Sequence, residues 1–69
     1  MYIIQRIANG HREVLASDPY TGFIWVKNIL RADDYDSVDY AIFDLMLMRE
    51  QEYFDGVSVR YEATIERMH

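Results

Sequence analysis

Carboxylates are the most abundant reactive side chains in this sequence, and they are unevenly placed. Residues 33–55 hold eight of the twelve acidic residues and a single base, Arg49. The rest of the chain has four acids and six bases, so the net charge is −7 inside this segment and +2 outside it. A dense group of carboxylates attracts basic proteins and repels the phosphates of DNA and RNA. The segment therefore favours binding to a basic partner over direct binding to nucleic acid.

Other reactive side chains are sparse. The 69-residue chain has no Cys, which excludes disulfides, thiolate metal sites and thiol nucleophiles. We expect its two histidines, His11 and His69, to be solvated. The motifs of serine hydrolases, zinc proteases, P-loop NTPases and dinucleotide-binding enzymes are absent. Glu62 and Glu66 are a possible pair of catalytic acids, but we expect the strand face that they share to be merely exposed to solvent. The sequence predicts a binding protein without catalytic activity or cofactor.

Three interpretations of the first acidic residues stay open. The residues are Asp33, Asp34, Asp36, Asp39 and Asp44. They can serve only as helix caps and for solubility, or they can imitate nucleic-acid phosphates and occupy a basic groove on another protein. Metal binding is the third interpretation, but this run lacks the alternating carboxylates, the glycine and the distal Glu of a calcium loop.

Length and composition predict a single globular domain over residues 1–69. A hydrophobic content of 51% with 14% aromatics excludes simple disorder. A chain of this size buries only about 60% of its unfolded surface, so self-association is a candidate source of added stability. There is no basic leader, and no segment approaches the roughly 20 apolar residues of a membrane span. We expect a soluble, cytoplasmic protein with no membrane partner.

Local signals predict three strands in the first part of the chain. Residues 2–7 are rich in β-branched side chains, and the Asn9-Gly10 pair after them is a strong hairpin signal because both residues accept positive φ. A second strand over residues 12–16 precedes a turn cluster at 18–22. The strand formers at 23–27 complete an antiparallel meander.

The chain then changes to a helical pattern over residues 38–51. Asp36 or Ser37 is a suitable N-cap, and acids at the start favour the positive end of the helix dipole. Apolar residues spaced as i, i+3, i+4 and i+7 predict the face that packs on the sheet: Val38, Ala41, Ile42, Leu45, Met46 and Met48. Residues 29–35 are ambiguous and allow a short extra strand before the helix.

Strict alternation of apolar and polar residues predicts a final strand over residues 57–66. The predicted order is β-β-β-(β)-α-β. The fold class is therefore α+β, with a small antiparallel sheet of three to five strands and one helix on one of its faces. The order of the strands within the sheet is left open.

A second apolar stripe lies opposite the predicted core face of the helix. It consists of Tyr40, Phe43 and Leu47, with Asp39 and Glu50 on one side and Asp44 on the other. Aromatic anchors inside an acidic rim are typical of binding hot spots, although scattered surface aromatics are also ordinary. We predict partner binding by these six residues, with Asp33, Asp34 and Asp36 as a secondary acidic cluster.

Turn, cap and core residues along nearly the whole chain suggest a known type of small protein. They are Gly22-Phe23-Ile24-Trp25, Ala32, Tyr35-Asp36-Ser37, Ala41 and Gly56-Val57-Ser58-Val59. This layout of meander, capped helix and closing strand resembles very small phage-encoded proteins, including anti-CRISPR proteins and phage inhibitors of host RNA polymerase. The resemblance is architectural, because it rests on scaffold positions.

The resemblance implies a stoichiometric inhibitor that acts in the bacterial cytoplasm on a large host nucleoprotein complex. Acidic surfaces of such inhibitors often occupy sites meant for nucleic acid. From the residues themselves, the alternative is a structural or interaction module whose helices pair face to face as a homodimer. Both hypotheses require the Tyr40, Phe43 and Leu47 stripe to be exposed.

Overall fold

The computed structural model describes residues 1–56 and 61–68. Within them the chain forms β1 (Tyr2–Ala8), β2 (His11–Asp18), β3 (Gly22–Val26), α1 (Val38–Phe54) and β4 (Thr64–Arg67). A short 3-10 helix, Ile29–Arg31, lies between β3 and α1. The strands form one antiparallel sheet in the spatial order β3-β2-β1-β4. The fold is α+β, as predicted.

The predicted meander is confirmed. Asn9 and Gly10 join β1 to β2 with φ angles of +53° and +79°, which is the backbone that an Asn-Gly hairpin turn requires. In the next turn, the Asp18 carboxylate accepts backbone N–H bonds from Tyr20 at 2.7 Å and Thr21 at 3.1 Å. These two hydrogen bonds favour the ionised form and lower the pKa of Asp18.

The ambiguous segment before α1 forms the 3-10 helix and then a single β-bridge instead of an extra strand. Asp33 donates its backbone N–H to the Leu15 carbonyl of β2 at 3.0 Å. Tyr35 exchanges two backbone hydrogen bonds with Tyr2 of β1, at 2.8 and 2.9 Å. The segment is therefore hydrogen-bonded to both β1 and β2, and this fixes where α1 begins.

The main core lies between the sheet and α1. Its buried side chains are Ile4, Leu15, Ala41, Met48 and Ala63. Half-buried apolar side chains surround them: Tyr2, Phe23, Trp25, Tyr35, Leu45 and Ile65. The other face of the sheet also buries apolar residues, namely Ile3, Val14 and Ala16. Both faces of the sheet therefore contribute to the apolar interior.

The core face predicted for α1 is only partly right. Ala41 and Met48 are buried and Leu45 is half-buried, but Val38, Ile42 and Met46 are exposed at 41%, 43% and 63%. Three polar side chains of α1 make hydrogen bonds to other parts of the fold: Asp44 to Tyr35, Gln51 to Phe23 and Glu52 to Trp25. The helix is rotated relative to the prediction because these bonds, as well as apolar burial, set its orientation.

Gln51 binds the backbone of the outer strand β3. Its Oε1 accepts the Phe23 N–H at 2.9 Å, and its Nε2 donates to the Phe23 carbonyl at 3.1 Å. The side-chain amide thus replaces a neighbouring strand at one residue. Gly22 makes this approach possible, since its φ is +87° and a Cβ there would lie 2.2 Å from Oε1 of Gln51.

We expect Gly22→Ala to destabilise the fold by about 2–3 kcal/mol. Positive φ costs an L-residue about 1–2 kcal/mol, and displacement of Gln51 weakens two hydrogen bonds worth about 1 kcal/mol each. Gly10→Ala is the matched control, because its φ is +79° and nothing lies within 4 Å of the added Cβ. Urea unfolding should show the larger loss for Gly22→Ala; equal losses would contradict a role for Gln51.

The end of α1 and the last strand differ in extent from their predictions. The helix continues to Phe54, three residues beyond 51, because no helix-breaking residue precedes Gly56, where φ is +72°. The last strand is short, Thr64–Arg67. The predicted alternation holds there, since Ala63 is buried and Ile65 half-buried while Glu62 and Glu66 are exposed. Residues 57–60 of the predicted strand lie outside the described residues.

Candidate functional site

The predicted aromatic stripe of α1 faces solvent. Tyr40 is 67% exposed, Phe43 62% and Leu47 39%. The predicted exposure of these side chains is therefore confirmed, whereas their role in binding stays a prediction. Their exposure leaves large apolar surface available, and large side chains of this kind supply most of the affinity at protein interfaces.

The exposed apolar surface of α1 is wider than the stripe. We call seven of its residues the outer surface of α1, leaving out Val38 at the first position of the helix: Tyr40, Ile42, Phe43, Met46, Leu47, Tyr53 and Phe54. The rings of Tyr53 and Phe54 pack edge to face, with centroids 5.7 Å apart, at the end of the helix. Groups of large exposed apolar side chains mark interaction sites more often than single scattered residues do.

Four residues of this surface were not among the partner-binding residues predicted from the sequence. Ile42 and Met46 were assigned to the core face, and Tyr53 and Phe54 fell beyond the predicted end of the helix. A signal for them was present: α1 carries apolar residues around its whole circumference, which is too many for one buried face.

Asp39 and Glu50 are exposed acids on α1, as predicted. Asp39 lies in the first turn, where a carboxylate also favours the helix dipole. Among the described residues, the ion pair found is Arg6 with Glu13 at 2.8 Å, and neither Asp39 nor Glu50 has a basic partner. Both carboxylates are thus available to an external cation.

Asp44 differs from the exposed rim residue that the sequence predicted. It is half-buried, and its Oδ2 accepts a hydrogen bond from the Tyr35 hydroxyl at 2.7 Å. Burial of the Tyr35 ring and this bond to Asp44 raise the pKa of the Tyr35 hydroxyl. The bond fixes the Asp44 carboxylate against the segment before α1.

The secondary acidic cluster is divided by the fold. The Ser17 hydroxyl donates to Asp33, which turns this carboxylate toward β2, whereas Asp34 and Asp36 are exposed. Of the acids considered for the helix start, Asp39 is the one that lies in the first turn of α1. Ser37 is the N-cap by position, but its side chain makes no capping hydrogen bond.

Asp34 and Asp36 lie beside the predicted partner-binding residues. They line an open hollow of about 380 Å³ at the start of α1. We call it the acidic-aromatic hollow, and its lining is Asp34, Tyr35, Asp36, Tyr40, Phe43 and Asp44. The structure thus brings together two members of the secondary cluster and three of the six predicted residues; Asp33 is not among them. Tyr35 is a lining residue that the sequence did not single out.

A second hollow of about 300 Å³ lies near Trp25 and Tyr61. The Arg6 guanidinium carbon is 4.4 Å from the centroid of the Trp25 ring and 5.5 Å from that of Tyr61. Arg6 also donates to Glu13 at 2.8 Å. These contacts give Arg6 a structural role in holding Trp25 and Tyr61 together.

Across residues 1–56 and 61–68, no three His, Asp or Glu side chains are arranged so that they could share a metal ion. In the same part of the chain, no helix combines the length and apolar character of a transmembrane segment.

The chain was compared with known proteins by sequence family, by curated sequence and by solved structure. No family model, curated protein or solved structure matches it.

Proposed function

We propose that this chain is a non-enzymatic binding protein that uses the outer surface of α1 to block a host nucleic-acid-binding complex, as a phage or mobile-element inhibitor of the anti-CRISPR type does. The observation that carries the proposal is the exposure of Tyr40, Phe43 and Leu47 on the same helix as the carboxylates of Asp39 and Glu50, which form no ion pair with another described residue. Apolar side chains supply affinity, and charge selects a basic partner.

Two physical effects make such a surface inhibitory. The net charge of −5 speeds association with a basic groove through long-range attraction. Once docked, the carboxylates occupy Lys and Arg side chains that otherwise contact phosphates, so nucleic acid and inhibitor compete for one surface. No bond is made or broken, and one inhibitor blocks one site.

Capture of partners from a bacterial lysate at low and high salt tests this proposal. We expect capture to fall steeply with salt, and the variant Asp39→Asn/Glu50→Gln to capture less than the natural sequence. Glu62→Gln/Glu66→Gln is the matched control, since it removes the same charge from exposed acids outside α1. The nucleic acid of the captured complex should displace the protein.

Two results would count against the proposal. Salt-independent capture would remove the electrostatic part of the mechanism. An equal loss for both charge variants would show that net charge, and not the surface of α1, determines binding.

The second candidate is a homodimer in which the outer surfaces of two α1 helices pair around a two-fold axis. The observation in its favour is the number of large exposed apolar residues on one helix, including Met46, Tyr53 and Phe54. Against it, Asp39 and Glu50 of both copies would be brought to the same interface, where like charges repel. Light scattering over a range of concentrations separates the two, because a stable monomer eliminates the homodimer.

A further inference from the structure

The acidic-aromatic hollow at the start of α1 has walls of two kinds. Tyr35, Tyr40 and Phe43 contribute aromatic rings, and Asp34, Asp36 and Asp44 contribute carboxylates. No Lys or Arg among the described residues forms an ion pair with these carboxylates. Aromatic faces and carboxylates both attract cations, so the two kinds of wall favour the same type of occupant.

The hollow does not favour a metal ion as its occupant. The three carboxylates of the hollow are not arranged as a shared metal site. Its volume of about 380 Å³ and its ring-bearing walls suit a larger organic cation that presents both a flat face and several N–H donors. The arginine guanidinium has these properties, whereas the lysine ammonium is a compact and strongly hydrated charge.

Part of the hollow is held in place before any ligand arrives. The Tyr35 backbone is paired with Tyr2, and its hydroxyl donates to Asp44 at 2.7 Å. Tyr40 and Phe43 project from the first two turns of α1, where helical hydrogen bonds fix the backbone conformation. A preformed receptor loses little conformational freedom on binding, which favours recognition of a single side chain.

We propose that this hollow receives an arginine side chain of the partner protein. The guanidinium stacks on Tyr40 or Phe43 and donates hydrogen bonds to Asp34 and Asp36, while Asp44 stays bonded to Tyr35. This inference rests on the proposed function and specifies one contact of it: the residue of the basic surface that enters the hollow. An arginine that normally contacts a phosphate would then be withdrawn from nucleic acid.

The test is a titration of the intact protein with three blocked tripeptides, in which binding is monitored through the amide chemical shifts in NMR spectra. The probes are acetyl-Ala-Arg-Ala-amide and its lysine and citrulline counterparts; citrulline keeps the shape of arginine without its charge. With the arginine peptide we expect saturable shifts at the lining residues. The lysine peptide should bind at least about threefold more weakly than the arginine peptide, and the citrulline peptide should not reach saturation. Equal binding of arginine and lysine, or of arginine and citrulline, would overturn the assignment.

Two charge variants separate the hollow from general attraction to an acidic protein. Asp34→Asn/Asp36→Asn should weaken binding of the arginine peptide about tenfold, because hydrogen bonds to charged carboxylates are replaced by weaker ones to neutral amides. Glu62→Gln/Glu66→Gln removes the same charge from exposed acids outside the lining and outside α1, and it should change binding by less than about twofold. Equal weakening by both variants would mean that the arginine is held by diffuse charge and would refute the proposal.

Capture by two charge variants, one in the hollow and one elsewhere on α1, distinguishes failure of this inference from failure of the proposed function. If the natural sequence captures a partner and Asp34→Asn/Asp36→Asn captures it equally well while Asp39→Asn/Glu50→Gln does not, the outer surface of α1 binds without the hollow and the arginine assignment is wrong. If no variant changes capture, the proposed function fails, and the tripeptide titration alone decides whether the hollow binds arginine.

Discussion

Met48→Ala is expected to lower the free energy of unfolding by about 2–5 kcal/mol, whereas Met46→Ala should change it by less than about 0.5 kcal/mol. The two methionines lie two positions apart on α1, but Met48 is 3% exposed in the core and Met46 is 63% exposed. Total stability for a chain of 69 residues is roughly 3–10 kcal/mol, so the Met48 loss would be a large share of it.

Urea unfolding followed by fluorescence measures both changes, because Trp25 is the single Trp and packs against the core that contains Met48. If Met48→Ala fails to fold, Met48→Leu, which nearly conserves volume, should restore most of the stability. Comparable losses at Met46 and Met48 would mean that α1 has the orientation predicted from sequence, in which both methionines face the sheet. The outer surface of α1 would then not exist as described.

Tyr40→Ala/Phe43→Ala is expected to weaken partner binding by about 30- to 1,000-fold. This range corresponds to about 2–4 kcal/mol for the loss of two aromatic anchors. Both side chains are mostly exposed, so circular dichroism and urea unfolding should stay close to those of the natural sequence. Titration of the captured partner against both proteins gives the ratio of dissociation constants.

Tyr20→Ala/Leu30→Ala is the control for this experiment, because these residues are 94% and 90% exposed and lie outside α1. The control should bind like the natural sequence. Equal losses for the two double variants would show that binding depends on general surface hydrophobicity. Loss of the fold in Tyr40→Ala/Phe43→Ala would show that the two rings stabilise the protein instead of contacting a partner.

Much of the fold follows from local chemistry in the sequence. The Asn9-Gly10 turn, the Asp18 turn and the strand-forming runs around them predict the meander because each acts within a few residues. The orientation of α1 was not predictable in the same way. It depends on hydrogen bonds between residues far apart in sequence, such as Gln51 with Phe23 and Glu52 with Trp25, and hydrophobic periodicity contains no information about them.

In the candidate site, too, local sequence patterns predict some features, and tertiary contacts determine the others. Helical spacing places Tyr40, Phe43 and Leu47 on one side of α1, and the structure leaves them exposed. The acids are harder to assign, because the segment before α1 bonds to β1 and β2 and thereby separates Asp33 from its neighbours. The acidic-aromatic hollow depends on this tertiary arrangement, so its six lining residues could not have been grouped from sequence alone.

Methyl NMR of protein with labelled methionines tests the central claim most directly. The chain has four methionines, and three of them report on opposite regions: Met46 lies on the outer surface of α1, while Met1 and Met68 line a hollow with Ile3 and Ile29 on the other side of the sheet. On addition of the captured partner, we predict a shift of the Met46 methyl signal with Met1 and Met68 unchanged. Shifts at Met1 and Met68 without one at Met46 would contradict binding through α1.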